Sequence, residues 1–282
     1  MSRKLTIGMC VYDDYDGAFF SIQSIRMHHP EVLNNIEFII VDNNPTSESG
    51  KAVKSFTSSI MEPVKYIGFT DYSSTSIKNK IFENAQTPYV LCMDCHILIT
   101  PGALLRLIQY YDNNLDGGNL LQGPLIYDDL KHVSTHFNRV WGSYMEGQWA
   151  TDPRYVDKDS DPFEIDAHGM GLYSCRKGNW LGYNQNFRGF GGEEIYIHDK
   201  YRRAGKKTMC LPFLGWMHRF TRINGTPYKN DLLDRYRNYL IGYTELGKDT
   251  SKLEEVFCDI GTVEQRNAIK QEVNNLVVNT LV

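Results

Sequence analysis

Nowhere in the 282 residues does an apolar run approach the roughly 20 that a membrane-spanning helix needs, so insertion into a bilayer is not expected. The opening MSRKLTIGMCVYDDYDG also lacks the apolar core of a secretory signal and goes directly into a strand pattern, which makes the expected location cytoplasmic. An excess of one charge is missing too. With 30 Lys and Arg against 34 Asp and Glu, the net charge of -4 gives no global pull toward nucleic acid or anionic lipid, although a local basic patch is compatible with it. The six cysteines lie mostly within apolar runs and read as reduced, buried thiols. Cys92 and Cys95 make a lone C-x-x-C inside a strand pattern, with no second pair to complete a zinc tetrahedron and no helix start to lower a thiol pKa. Internal repeats, heptads and low-complexity segments are absent, and the Asn224-Gly225-Thr226 sequon has meaning only in a secreted chain.

What is present is alternation of strand and helix. Leu5 to Val11 reads as a strand, Ala18 to His29 as an amphipathic helix stopped by Pro30, and Glu37 to Val41 as a second strand halted by Asp42-Asn43-Asn44-Pro45. Ser47 to Ser58 (helix), Val64 to Ile67 (strand), Ser74 to Asn84 (helix) and Tyr89 to Met93 (strand) continue the pattern, and Pro101-Gly102 opens a helix from Ala103 to Tyr111. Such β-α repeats predict an α/β fold with a mostly parallel, Rossmann-like central sheet flanked by helices and nucleotide-type ligands at one sheet edge. From about Gly117 to Pro162 the chain is rich in Gly, Asp, Tyr and Trp, which favours strands and long loops. Helical periodicity returns over Ile195 to Ala204, Leu232 to Leu246 and Val263 to Val278, the last two forming a helical C-terminal extension.

The chemistry concentrates at Tyr89-Val90-Leu91-Cys92-Met93-Asp94-Cys95-His96, where a buried-strand pattern ends on two residues two apart. Residues i and i+2 of an extended segment point to one side, so Asp94 and His96 offer a carboxylate and an imidazole together as half of a divalent-metal site. His218, in Leu214-Gly215-Trp216-Met217-His218-Arg219-Phe220, is a possible third ligand; a Gly-Pro-punctuated basic loop, Thr221 to Tyr228, follows. Tyr12 and Asp42 end strands at the same sheet edge and offer an aromatic face and a carboxylate to a base, though an Asx turn before Pro45 explains Asp42 nearly as well. Lys78 and Asn79 sit in the helix before the metal strand, within reach of a diphosphate or base, or on a solvated helix face. Gly191-Gly192-Glu193-Glu194 pairs glycines that permit close backbone approach with two carboxylates at a helix start, where they also complement the helix dipole.

The order and spacing of these motifs resemble glycosyltransferases of the GT-A fold, specifically the large family 2 and the related polypeptide N-acetylgalactosaminyltransferases, over roughly residues 4 to 220. The resemblance implies a GT-A catalytic domain over 1–225, with a nucleotide-binding half (1–100) and an acceptor half (101–225), followed by the extension at 226–282. It implies a hexosyl- or N-acetylhexosaminyltransferase that moves sugar from a nucleotide-diphosphate donor, a UDP-sugar by expectation, to an acceptor hydroxyl. Asp94, His96 and His218 then hold Mn²⁺ or Mg²⁺, and Tyr12, Asp42, Lys78 and Asn79 contact the nucleotide. Arg219 and Arg222 add cations to the diphosphate as their loop closes. Glu194 is the expected base with Glu193 orienting it, and Gly192 and Trp216 are expected on the acceptor side. The metal motif ends in His, as in the retaining polypeptide transferases, so stereochemistry stays open, and no lectin module or membrane anchor is expected. The acceptor is expected to be a glycan, peptide or small molecule. One rival is a glycosyltransferase acting on a hydroxymethylated DNA base through Arg202, Arg203, Lys206 and Lys207; another is a nucleotidyltransferase that makes a sugar nucleotide.

Overall fold

A computed structural model describes residues 2–222 and 225–280, the last four by backbone alone; Asn224 of the sequon lies outside the described residues. Four parallel strands form one half of an eight-stranded sheet: β1 (Leu5–Val11), β2 (Ile36–Asp42), β3 (Val64–Gly68) and β4 (Tyr89–Asp94). They are linked by α1 (Tyr15–His28), α2 (Glu48–Ser59) and α3 (Asn79–Asn84). After β5 (Ile97–Ile99) and α4 (Ala103–Asp112) come five short strands: β6 (Leu120–Gln122), β7 (Leu125–Ile126), β8 (Val133–Ser134), β9 (His136–Gly142) and β10 (Met145–Ala150). The chain ends with β11 (Phe163–Glu164), β12 (Leu172–Arg176), α5 (Glu193–Arg203), β13 (Thr208–Cys210), β14 (Trp216–His218), α6 (Leu232–Glu245), α7 (Ser251–Val256) and α8 (Val263–Thr280).

The large sheet runs β11-β13-β6-β12-β4-β1-β2-β3, with β12 antiparallel to β4. The fold is thus α/β with a large central sheet, as the β-α alternation predicts. Alternate residues of β4 face opposite layers: Leu91 and Met93 pack with α1, α2 and α4, whereas Val90 and Cys92 pack with α3, α5 and α6. Gly8 of β1 lets α3 approach, since a Cβ there would lie 2.1 Å from Ile81 Cγ2. α6 packs on α5 as well as on α8, so the first helix after residue 226 is part of the layer that covers Val90 and Cys92.

Three readings needed correction. The helix expected over 74–84 is broken into a 3₁₀ turn, Thr75–Lys78, capped by Ser74 Oγ accepting from Ser76 N–H, followed by α3. α1 begins a turn earlier than Ala18, because Asp14 caps it by accepting the Gly17 N–H at 3.1 Å. A second sheet, β5-β14-β7-β8, was not foreseen; strands of two or three residues are too short to display alternation.

Candidate active site

The site begins where β1 and β4 end. Their parallel register sets Cys10 opposite Asp94, so the loop after Val11 meets the turn after Asp94. Asp14, in that loop, lies with its Oδ2 2.9 Å from His96 Nδ1. Ser21 of α1 ties the same turn twice, donating to the Cys95 carbonyl at 3.0 Å and accepting from the Ile97 N–H at 2.9 Å. Burial works to raise the Asp14 pKa, but hydrogen bonds from His96 and Arg219 outweigh it and hold the carboxyl well below its usual range.

His218 arrives from the second sheet. β14 pairs antiparallel with β5 so that His218 stands opposite Ile97, and the Arg219 N–H donates to the His96 carbonyl at 3.2 Å. The consequence is that His96 Nε2 and His218 Nε2 face each other at 3.1 Å, with Asp94 Oδ2 3.5 Å from the latter. One ligand-capable atom from each of Asp94, His96 and His218 lies within 4.8 Å of the others. Two imidazole nitrogens this close either share one proton or turn both lone pairs to a cation; with the adjacent carboxylate, this donor set fits a divalent ion such as Mn²⁺. Lys78 holds the other Asp94 oxygen at 2.9 Å and also donates to the Met170 carbonyl at 2.9 Å. Burial opposes ionisation of Asp94, yet Lys78, His218 and His96 overcome it and hold its pKa far below normal.

Across from this cluster lies the start of α5. Gly191 and Gly192 have φ of 103° and 92°, and a Cβ on Gly191 would sit 2.5 Å from Arg235 Nε of α6. Glu193 and Glu194 are both buried, at 3% and 6% exposure. Glu193 Oε2 accepts the Gly191 N–H at 2.8 Å, but burial and the neighbouring Glu194 push its pKa to about 8. Burial also raises Glu194, where Arg235 and Lys78 pull the other way.

Of the residues singled out in the sequence, Asp94, His96, His218, Lys78, Arg219 and Arg222 share one cluster. Arg219 donates to Asp14 Oδ1 at 2.6 Å, and Arg222 Nη2 lies 3.3 Å from both His96 ring nitrogens. Tyr12 lies at the rim, edge-on to Tyr228 with centroids 6.1 Å apart. Four others serve the protein itself. Asp42 is fully buried, accepting from Tyr66 Oη at 2.7 Å and from the Asn44 N–H at 2.9 Å, which is the Asx-turn alternative. The Asn79 amide bridges the segment after β12, accepting from Trp180 Nε1 and the Tyr183 N–H and donating to the Tyr183 carbonyl, each at 3.0 Å. Trp216 is 1% exposed and its Nε1 donates to the Gly123 carbonyl at 2.7 Å, so it is core and not an acceptor platform. Gly192 abuts Asn238 and Tyr239 of α6, where a Cβ would lie 3.3 Å from each.

Asp14, Arg235 and Tyr228 were missed. Asp14 had a visible signal, an Asp before a helix, but it reads as a cap and not as a partner of a histidine 82 residues away.

The architecture is also that of solved glycosyltransferases. GalNAc-T7, in a structure with UDP, GalNAc and Mn²⁺, is 12% identical with a TM-score of 0.67, covering 98% of this chain and 57% of that chain. TarS 1-349 of S. aureus gives 12% identity and a TM-score of 0.53, covering 90% of this chain and 69% of that chain; its complex with UDP-GlcNAc gives 11%, 0.54, 96% and 80%. These likenesses define a GT-A fold. Residues 6–174 match the family described as Glycosyl transferase family 2, more than half of the chain, and the chain belongs to that family of glycosyltransferases. No curated protein matches it.

Proposed function

We propose that this glycosyltransferase is metal-dependent and transfers a hexose or N-acetylhexosamine from a uridine diphosphate sugar to an acceptor hydroxyl. The observation that carries the reading is the convergence of Asp94, His96 and His218 from two different sheets onto one point. GalNAc-T7 with UDP, GalNAc and Mn²⁺, and TarS with UDP-GlcNAc, share the fold and support an N-acetylhexosamine as the first sugar to test. A Mn²⁺ or Mg²⁺ held by the three residues would offset the negative charge that develops on a departing diphosphate. Arg219 and Arg222 stand beside that point and would add cationic charge to the diphosphate, while Tyr12 and Tyr228 flank the base. Lys78 fixes the Asp94 carboxylate.

Glu194 accepts the acceptor hydroxyl's proton in this reading if the reaction inverts configuration. Burial raises both carboxyls, Glu193 further through its neighbour Glu194 and Glu194 against the pull of Arg235 and Lys78; Glu193 orients the acceptor in this reading. The acceptor is a glycan, peptide or small molecule. A DNA acceptor finds no support in the four cations near the end of α5: Arg202 pairs with Asp199, Arg203 reaches the Glu245 carbonyl, Lys206 the Gly118 carbonyl and Lys207 Glu164. Family membership weighs against a nucleotidyltransferase. A cytoplasmic setting is part of the proposal, in keeping with six free thiols.

A thermal-shift series with UDP-, GDP- and CDP-sugars, with and without Mn²⁺, tests the reading. A ligand of the folded state raises its stability by RT ln(1 + [L]/Kd), so uridine sugars with Mn²⁺ should give the largest shift. Protection by guanosine or cytidine sugars alone would overturn the donor, and shifts indifferent to Mn²⁺ would overturn the metal.

A further inference from the structure

Asp14 reaches His96 from the loop before α1, and this contact decides which nitrogen of the ring can serve a metal. We infer that Asp14 is a positioning residue that locks His96 in the Nδ1–H tautomer, leaving the Nε2 lone pair aimed at His218 and Asp94. The inference deepens the metal-site reading and rests on it. A carboxylate without a proton can only accept, so the 2.9 Å contact requires Nδ1 to donate. A neutral imidazole with its proton on Nδ1 has a bare Nε2, and that atom lies 3.1 Å from His218 Nε2 in the cluster. Arg222 favours neither tautomer, its Nη2 being 3.3 Å from both nitrogens.

The same carboxylate is placed from three sides. Its Oδ1 caps α1 through the Gly17 N–H and receives Arg219 at 2.6 Å, while its Oδ2 takes His96. Ser21, on the helix that Asp14 caps, fixes the backbone on both sides of His96. Helix start, histidine ring and turn therefore form one rigid unit.

A second metal site on the Nδ1 side is the competing use of these atoms, since Asp14, Cys95 and His96 also lie within 4.8 Å of one another. The charges argue against it. Arg219 at 2.6 Å and Arg222 at 3.7 Å already neutralise Asp14, and Cys95 is a buried thiol 3.7 Å from that carboxylate, a setting that disfavours a thiolate.

Asp14→Ser separates the two roles of the residue, because serine still caps a helix but is too short to hold the imidazole. Long-range ¹H–¹⁵N spectra of the metal-free protein at mildly alkaline pH report the tautomer, and titration with Mn²⁺ alone, followed by the loss of free-ion EPR signal, reports affinity. The expected result is a wild-type His96 with its proton on Nδ1, a mixture of tautomers in Asp14→Ser, and Mn²⁺ affinity lowered about 10–100-fold with little change in Tm. Arg219→Met, which spares the Asp14–His96 bond, should not weaken Mn²⁺. A proton on Nε2 in the wild type, undiminished Mn²⁺ affinity in Asp14→Ser, or equal losses in Asp14→Ser and Arg219→Met would overturn the inference. Should the wild type bind no Mn²⁺, the metal reading falls and the spectra decide alone: an Nδ1 proton that Asp14→Ser releases upholds the lock, and any other pattern removes it.

Discussion

At the ends of β1 and β4 each carboxylate meets a cation, whereas at the start of α5 two carboxylates are buried side by side. Asp14 has Arg219 and the imidazole of His96, and Asp94 has Lys78; both are held ionised far below the usual carboxylate range. For Glu193, burial and the repulsion of Glu194 outweigh the backbone N–H groups it accepts, and its pKa rises. The first region keeps its negative charge fixed, which suits the metal site proposed there. The second, where burial raises both carboxyls, suits the acid–base role proposed for it. The chain thus distinguishes its carboxylates by what it puts next to each.

The contrast breaks hardest at Asp94, the one carboxylate of the proposed metal site. Asp94→Asn keeps the shape and removes the charge, and turnover should fall about 10³-fold, since a metal's Lewis acidity is worth several kcal/mol and each 1.36 kcal/mol is tenfold. Mn²⁺ titration should show the matching loss of affinity. Turnover that persists unchanged would mean that the cluster is structural.

Glu194→Gln tests the other region. Turnover should fall by about 10²–10³, within the range of a positioned base, while Mn²⁺ and UDP affinity stay near the wild-type values. Equal losses of affinity and rate would merge the two regions into one. If Glu193→Gln is the damaging change and Glu194→Gln is not, the roles within the pair are exchanged. If neither lowers the rate, a retaining route without an enzymic base is the better account.

Glu193 gives a smaller, thermodynamic signal. A carboxyl near 4.5 when unfolded and about 8 when folded binds a proton in the folded state only, so stability is greatest at low pH within this window and declines as pH rises from the unfolded toward the folded value. Above the folded value the decline stops. Glu193→Gln should flatten that decline, and by pH 8 it should melt higher than the wild type by about 2–4 °C for each kcal/mol recovered. Parallel Tm curves for the two proteins from pH 5 to 8.5 would show that Glu193 is not protonated in the fold.

Strands β1, β2 and β4 were legible because they are long and almost wholly buried, and they lie within a residue of where periodicity put them. The pair Asp94 and His96 was legible for the same reason, being tied to the end of one strand. Asp14 was not, since its role depends on the β1–β4 register and not on its neighbours in sequence. Trp216 misled: it shares the strand face of His218 and so resembled a binding aromatic, but its ring closes on Gly171 and Gly123 in the core, a packing that nothing in its sequence neighbourhood announces.

Asp42 is where the family resemblance and the geometry part most clearly, and it carries the smallest predicted effect. The resemblance assigns it to uridine; the fold gives it no exposed surface and occupies its oxygens with Tyr66 and the Asn44 N–H. Burial raises its pKa, partly offset by those two donors. An asparagine can still accept the Asn44 N–H through Oδ1, and a tyrosine hydroxyl can turn from donor to acceptor to meet the amide. Asp42→Asn should therefore leave UDP affinity within about threefold, less than the 1.4 kcal/mol that a tenfold change represents, and cost at most about 1 kcal/mol of stability. A tenfold or larger loss of UDP binding at unchanged Tm would show that the turn after β2 opens to the base when the nucleotide arrives, and would place the donor pocket on the β2 side of the sheet edge. A loss confined to Tm would leave the nucleotide to Tyr12, Tyr228 and the arginines that follow His218.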